Sequence, residues 1–203
     1  MSESPGRVVM LVGTSSAGKT TTAAALQGCF DEHHLLVGFD VFMRMVDPRW
    51  AGHGPYTLQG FRYDPSTVDN SGEAISTISC GPVGKRILNG THCAVAALAR
   101  SGNNVIVDEM LLDDTVLADW QTALDGLCVY VVQVQAPVEV LVARERQRKQ
   151  RAGLARGHLP MNSLASYDVA VDTFLKTPAE CAAVIAAALA ASAARWRMES
   201  SCP

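Results

Sequence analysis

Short, uniformly apolar runs alternate along the chain with longer stretches in which apolar residues recur at helical spacing. The runs are Arg7 to Val12, Leu35 to Asp40, Asn104 to Glu109, Leu127 to Val134 and Asp168 to Asp172. They are rich in β-branched residues and apolar at successive positions, which predicts strands buried on both faces of a parallel sheet. The stretches between them predict helices. Thr21 to Leu26 is alanine-rich and follows a glycine-bounded loop. Pro82 to Ala99 opens with proline in its first turn and stops at Ser101-Gly102. Asp113 or Asp114 caps a helix to about Leu124, with Asp125-Gly126 as its exit. Pro137 opens a further helix that runs into Arg144–Arg151. Thr177-Pro178-Ala179-Glu180 is a capping box launching a last helix to about Arg197, and Met198 to Pro203 reads as a frayed tail. This alternation predicts an α/β fold, a five-stranded parallel sheet with helices on both faces.

One region breaks the rhythm. Asp47 to Gly81 is dense in glycine and proline, with Trp50, Tyr56, Phe61 and Tyr63 interleaved. The short runs Gly60–Tyr63 and Glu73–Ser79 suggest a hairpin. A long irregular insert in a compact domain is usually functional, and its aromatics suit either an acceptor pocket or a cover for the sheet edge.

Composition narrows the picture. At 203 residues the chain reads as one domain, residues 1–203, with no linker or repeat. Its net charge of −3 gives no basic footprint for nucleic acid. The apolar run after the polar N-terminus is too short for a signal peptide, and Ala182 to Ala194 is too short and too weakly hydrophobic to span a membrane. The six cysteines are scattered without metal-ligand spacing, and most lie in apolar runs, so buried free thiols in a reducing cytoplasm are expected. Oligomeric state leaves no mark in the sequence.

The candidate chemistry begins at Gly13-Thr14-Ser15-Ser16-Ala17-Gly18-Lys19-Thr20, which fits the phosphate-loop pattern G-x-x-x-x-G-K-[ST] between a strand and a helix. Its glycines let backbone N–H groups turn inward around an anion, and the helix opening near Lys19 adds its positive end. Lys19 can reach the outer phosphates as a point charge, the Thr20 hydroxyl can ligate Mg²⁺, and Thr21 belongs to the same nucleotide-binding set. Asp40 closes the second apolar run, so it is expected at the carboxyl edge of the sheet beside this loop, as a catalytic base, a helix cap or both. Asp108, in Val105-Ile106-Val107-Asp108-Glu109, has the form of the acid that holds Mg²⁺ directly or through water.

Six basic residues fall between Arg144 and Arg156 in an otherwise acidic protein. Arg144, Arg148 and Arg151 share one face at helical spacing. With Gly153 and Gly157 following, the cluster reads as a lid over phosphates at about residues 144–160, against a solvated helix face as the plainer alternative. Phosphate loop, strand-end acids and arginine lid together suggest a small-molecule kinase. A nucleotide-hydrolysing switch is the competing class, since Asp108-Glu109 can be read as metal acid plus water-activating glutamate. Against it, the chain has no N-K-x-D guanine-reading motif, and a switch has no need of Asp40.

Several segments carry a resemblance: the loop Gly13–Thr20, Gly38-Phe39-Asp40, Gly81-Pro82 with Arg86, Val105–Glu109, Arg144-Glu145 with Arg148 and Arg151, and Tyr167-Asp168-Val169-Ala170-Val171-Asp172-Thr173. Together they resemble the chloramphenicol phosphotransferase-like family of P-loop kinases over most of the chain. The resemblance implies ATP-dependent phosphorylation of an alcohol, typified by the primary hydroxyl of chloramphenicol. Related toxin kinases act on a nucleotide sugar. It implies Asp40 as base, Arg148 and Arg151 acting on the transferring phosphate, Arg144 beside the nucleotide, and an adenine seat near Thr173 to Thr177. The chain departs from the family pattern in its insert and at Asn162, where a histidine is expected.

Overall fold

The computed structural model describes residues 4–64, 67–69, 72–148, 152–163 and 166–198, with the side chains of 162, 163 and 193–198 outside the description. In chain order the elements are β1 (Val8–Val12), α1 (Lys19–Gln27), β2 (His34–Gly38) and α2 (Phe39–Met43). Within the insert lie β3 (Ala51–Gly52), β4 (Phe61–Tyr63), β5 (Thr67–Val68), β6 (Ala74–Ile75) and β7 (Ile78–Cys80). Then follow α3 (Pro82–Arg100), β8 (Asn104–Glu109), α4 (Asp114–Ala123), β9 (Val129–Gln135) and α5 (Val138–Gln147). The chain continues through α6 (Leu154–Gly157), β10 (Val169–Asp172) and α7 (Pro178–Met198).

Five strands form one parallel sheet in the order β10-β9-β1-β8-β2. The phosphate-loop strand β1 is therefore central. Its five residues are all buried, as a strand covered on both faces requires. Alternate residues feed two cores. Met10, Val105 and Val107 pack with Leu88 and Val95 of α3 and Trp120 of α4. Leu11, Ile106 and Val132 pack with Leu26 of α1, Leu141 of α5 and Ile185 of α7 on the opposite face. Burying such a side chain contributes about 1.5–3 kcal/mol.

The local signals mostly translate into structure. Pro82 opens α3, the Asp113 side chain accepts from Val116 N–H at 2.9 Å to cap α4, and Thr177 and Glu180 form the capping box of α7. Four expectations change. The second strand ends at Gly38 rather than Asp40, because the backbone turns into α2 where it meets β8. A Cβ at Gly38 would sit 2.4 Å from the Asp108 carbonyl oxygen. Asp40 thus stands in the first turn of a short helix. The proposed hairpin is split: β4 pairs antiparallel with β7 alone, while β6 turns aside to pair with β5. The helix of the basic cluster ends at Gln147, with Arg148 as its C-cap. The described cysteines are free but not uniformly buried. Cys181 is buried, whereas Cys29 and Cys93 are exposed, one just past the end of α1 and one on the outer side of α3. The tail residues 199–203 lie outside the described residues.

Candidate active site

The loop between β1 and α1 wraps around a point just beyond the carboxyl end of the central strand. Ser16 and Gly18 take left-handed backbone conformations, with φ of 62° and 90°. Such angles turn successive N–H groups toward one side, the geometry of an anion-binding concavity. Lys19, the first residue of α1, is buried and donates to the Thr14 carbonyl oxygen at 3.0 Å. Its Nζ stands 3.9 Å from Asp108 Oδ1. Burial holds its pKa below the ordinary lysine range, although Asp108, Glu109 and Asp40 pull it back up. A lysine in that condition gains from an added anion, because a phosphate stabilises the ammonium charge that burial has desolvated.

Thr20 Oγ1 donates to Asp108 Oδ2 at 2.5 Å. A hydroxyl and a carboxylate meeting beside the loop make an all-oxygen donor pair, which suits Mg²⁺ completed by water and phosphate oxygens. Thr21 is used differently. Its exposed hydroxyl donates to the Gly18 carbonyl oxygen at 2.9 Å, closing the first turn of α1. Glu109 points to the other face of the sheet. It is 3 % exposed, accepts from Met110 N–H at 3.0 Å, and burial pushes its pKa up to about 8.

Two cavities adjoin at this edge. One, of about 180 Å³, is lined by Ser15, Lys19, Thr20, Asp40, Asp108 and Arg148. The other, of about 340 Å³, is lined by Met43, Val46, Pro48, Phe61 and Arg62, largely from the insert. Phe39, Asp40, Tyr63 and Ile78 line both. Asp40 thus lies at the junction of a polar phosphate-sized space and a more apolar one.

The basic cluster divides into separate tasks. Arg148 is exposed and lines the phosphate-side cavity. Arg144 is committed to structure, donating to Thr173 Oγ1 at 2.8 Å, to the Thr173 carbonyl at 2.9 Å and to the Ser16 carbonyl at 3.3 Å. It braces the phosphate loop from behind and does not line the cavity. Arg156 pairs with Asp69 of the insert at 2.8 Å. Arg151 lies outside the described residues, as does the side chain of Asn162.

Sequence reading gave no role to His158, and it named Glu145 and Thr173 only within the resemblance, not for the bonds they make here. Glu145, buried in α5, accepts from Gly153 N–H at 2.7 Å and Ala155 N–H at 2.8 Å. It pins the lid segment to the helix. Thr14 Oγ1 ties the same segment to the phosphate loop by donating to the Ala155 carbonyl at 2.7 Å. Buried His158 accepts from Ile78 N–H through Nε2 at 3.1 Å. Only Glu145 carried a signal, as an acid placed in a basic run.

The family model of chloramphenicol phosphotransferase-like proteins matches residues 6–190. The chain belongs to this family. A relative in Mycobacterium tuberculosis, provisionally named an O-phosphotransferase, is 29% identical over 170 residues, covering 83% of this chain and 75% of the relative. Among solved structures, an unliganded sugar kinase from Janibacter superposes with a TM-score of 0.60 at 17% identity, covering 91% of this chain and 95% of its own. The adenosine-phosphosulfate (APS) kinase of M. tuberculosis, in complex with AMPPNP and APS, gives 0.59 at 15% identity, covering 92% and 98%. These structural likenesses establish the P-loop kinase fold, and family membership makes the chain a phosphotransferase of the kinase type.

Proposed function

We propose that this protein transfers the γ-phosphate of ATP to a hydroxyl of a small molecule held against the insert. The observation that carries the reading is the position of Asp40, which lines both the phosphate-side cavity and the insert cavity. The triphosphate lies along Gly13, Thr14, Ser15, Ser16, Ala17 and Gly18, with Lys19 on its outer phosphates. Thr20 and Asp108 are the residues that would hold Mg²⁺, which would supply positive charge against the phosphates. Asp40 accepts a hydrogen bond from the acceptor hydroxyl, orients that oxygen in line with the γ-phosphate, and takes its proton as the new O–P bond forms and the bond from the γ-phosphorus to the β–γ bridging oxygen breaks, releasing ADP. Arg148 faces the charge spreading over the transferred group.

The acceptor body lies on Phe39, Phe61, Tyr63 and Ile78, an aromatic and aliphatic lining that suits an alcohol with an apolar portion. Chloramphenicol is the first acceptor to test, and a nucleotide sugar the second. The hydrolytic-switch reading is weaker, because Glu109 faces the core of α3 and α4 and is absent from the cavity walls, so it is poorly placed to activate water. The experiment is ADP release with Mg-ATP, measured alone and with a panel of alcohols that includes both candidates, with phosphorylated product identified by mass spectrometry. Acceptor-dependent turnover is expected. Turnover that ignores every alcohol while ATP is still hydrolysed would favour the switch.

A further inference from the structure

The insert and the lid are separated by about sixty residues of sequence, yet their backbones are joined in the folded chain. Ser76 N–H donates to the Gly153 carbonyl at 3.0 Å, and Ser76 Oγ donates to the Ala152 carbonyl at 2.9 Å. Ile78 N–H donates to His158 Nε2 at 3.1 Å. Arg156 pairs with Asp69 at 2.8 Å, with both side chains about three-quarters buried. The approach is close enough to need two glycines. A Cβ at Gly157 would stand 1.8 Å from the Ser76 carbonyl oxygen, and one at Gly153 would stand 2.7 Å from that of Ala74. The glycines that sequence alone places in a lid are here the contact surface between two segments.

The same lid residues face the nucleotide side. Ala155 is tied to Thr14 of the phosphate loop, and Gly153 and Ala155 are held by Glu145. On the insert side, Ile78 pairs with Tyr63 across β4 and β7, and both line the phosphate-side and the acceptor-side cavity. A continuous path of hydrogen bonds therefore runs from Thr14 through Ala155, α6 and His158 to Ile78. We propose that lid and insert act as one body, so that nucleotide bound at the loop sets the acceptor wall at Tyr63 and Ile78. His158 is a positioning residue in this scheme, acting through Ile78. The inference rests on the proposed nucleotide site and extends it to an order of events. Nucleotide enters first and builds the wall, and by linkage an acceptor on that wall tightens nucleotide binding by the same factor.

The test needs no acceptor. Hydrogen–deuterium exchange is followed in residues 74–80 and 152–158 with and without Mg-AMPPNP, while calorimetry records the binding itself. Both segments are expected to slow on binding, the insert by about 5–150-fold, the ordinary span of coupling between sites. In His158→Leu, which removes the acceptor of the Ile78 N–H, the lid keeps its protection and the insert loses it. His158→Gln, whose side-chain oxygen can accept the same bond, restores it. Arg156→Ala, at a partly exposed pair, gives the same uncoupling if His158→Leu does not fold. Protection confined to the lid in the wild-type protein overturns the coupling and leaves the phosphotransferase reading intact. Insert protection that survives both His158→Leu and Arg156→Ala overturns it as well. Failure of Mg-AMPPNP to bind at all overturns the nucleotide site, and the coupling with it.

Discussion

Lys19 concentrates the residue-scale argument. Its pKa is held down by burial against the pull of three carboxylates, so a bound phosphate would stabilise its charged form. Lys19→Ala is expected to lower kcat by about 10²–10³, the cost of removing one preorganised donor from a transition state, with nucleotide affinity weakened in calorimetry. Asp40 and Asp108 separate by metal dependence. Asp40→Asn keeps shape and loses basicity, so kcat falls by about 10²–10⁴ while ATP affinity stays near the wild-type value at every magnesium concentration. Asp108→Asn works through the metal, so its defect should shrink as magnesium is raised. Equal magnesium responses in the two variants would sink this division of labour. The phosphate-loop pattern, with Lys19, Thr20 and Asp108 as its candidates, stands out in sequence because its signals are local: a loop between strand and helix, and an acid at the end of an apolar run. The basic cluster was legible only as charge. Arg144 finds its partner Thr173 29 residues away, and Arg156 finds Asp69 87 residues away. No spacing rule within the cluster encodes those partners.

At the scale of elements, one buried carboxylate ties the lid to α5. Glu145 accepts two backbone N–H bonds that would otherwise go unmet in a buried segment. Hydrogen bonds to a charged group contribute about 1.5–3 kcal/mol each in net terms. Glu145→Ala should therefore lower the unfolding free energy by a few kcal/mol, on the order of that sum, and expose residues 152–157 to proteolysis before the sheet is cut. Denaturant titration and limited digestion check the two parts separately. If digestion starts elsewhere, the carboxylate is not the lid's anchor. The second strand gives the clearest case of an element boundary that sequence could not place. Leu35 to Asp40 reads as one apolar run closed by an acid, but the backbone turns at Gly38 because β8 passes against it. The consequence is functional: Asp40 stands in the first turn of α2, exposed and lining both cavities, rather than at the end of a strand.

At the scale of the whole molecule, two buried histidines set an acid limit on stability. Burial lowers the pKa of His92 although Asp119 opposes it, and burial with the nearby charge of Lys19 lowers that of His158. Both fold in the neutral form. Below about pH 6.5, the unfolded value for histidine, the unfolded chain binds more protons than the native one. Their contribution is therefore present above that pH and lost as pH falls toward the lower folded values. Each contributes a slope approaching about 1.4 kcal/mol per pH unit in that window. Thermal or urea unfolding from pH 7.5 to 5 should show the loss, and His158→Gln should make it shallower. An unchanged slope would mean that His158 is not what titrates. The sequence by itself determined the strand–helix alternation, the parallel sheet, the phosphate loop and the acids at the sheet's carboxyl edge. Those follow from periodicity, β-branching and short-range backbone geometry, all written within a few residues. Only tertiary structure decided which arginine faces the phosphate cavity, where β2 gives way to α2, and that the insert is stitched to the lid. Each of those depends on a contact between segments far apart in the chain, where a backbone carbonyl, a buried carboxylate or a glycine's missing Cβ fixes the outcome and leaves no periodic mark.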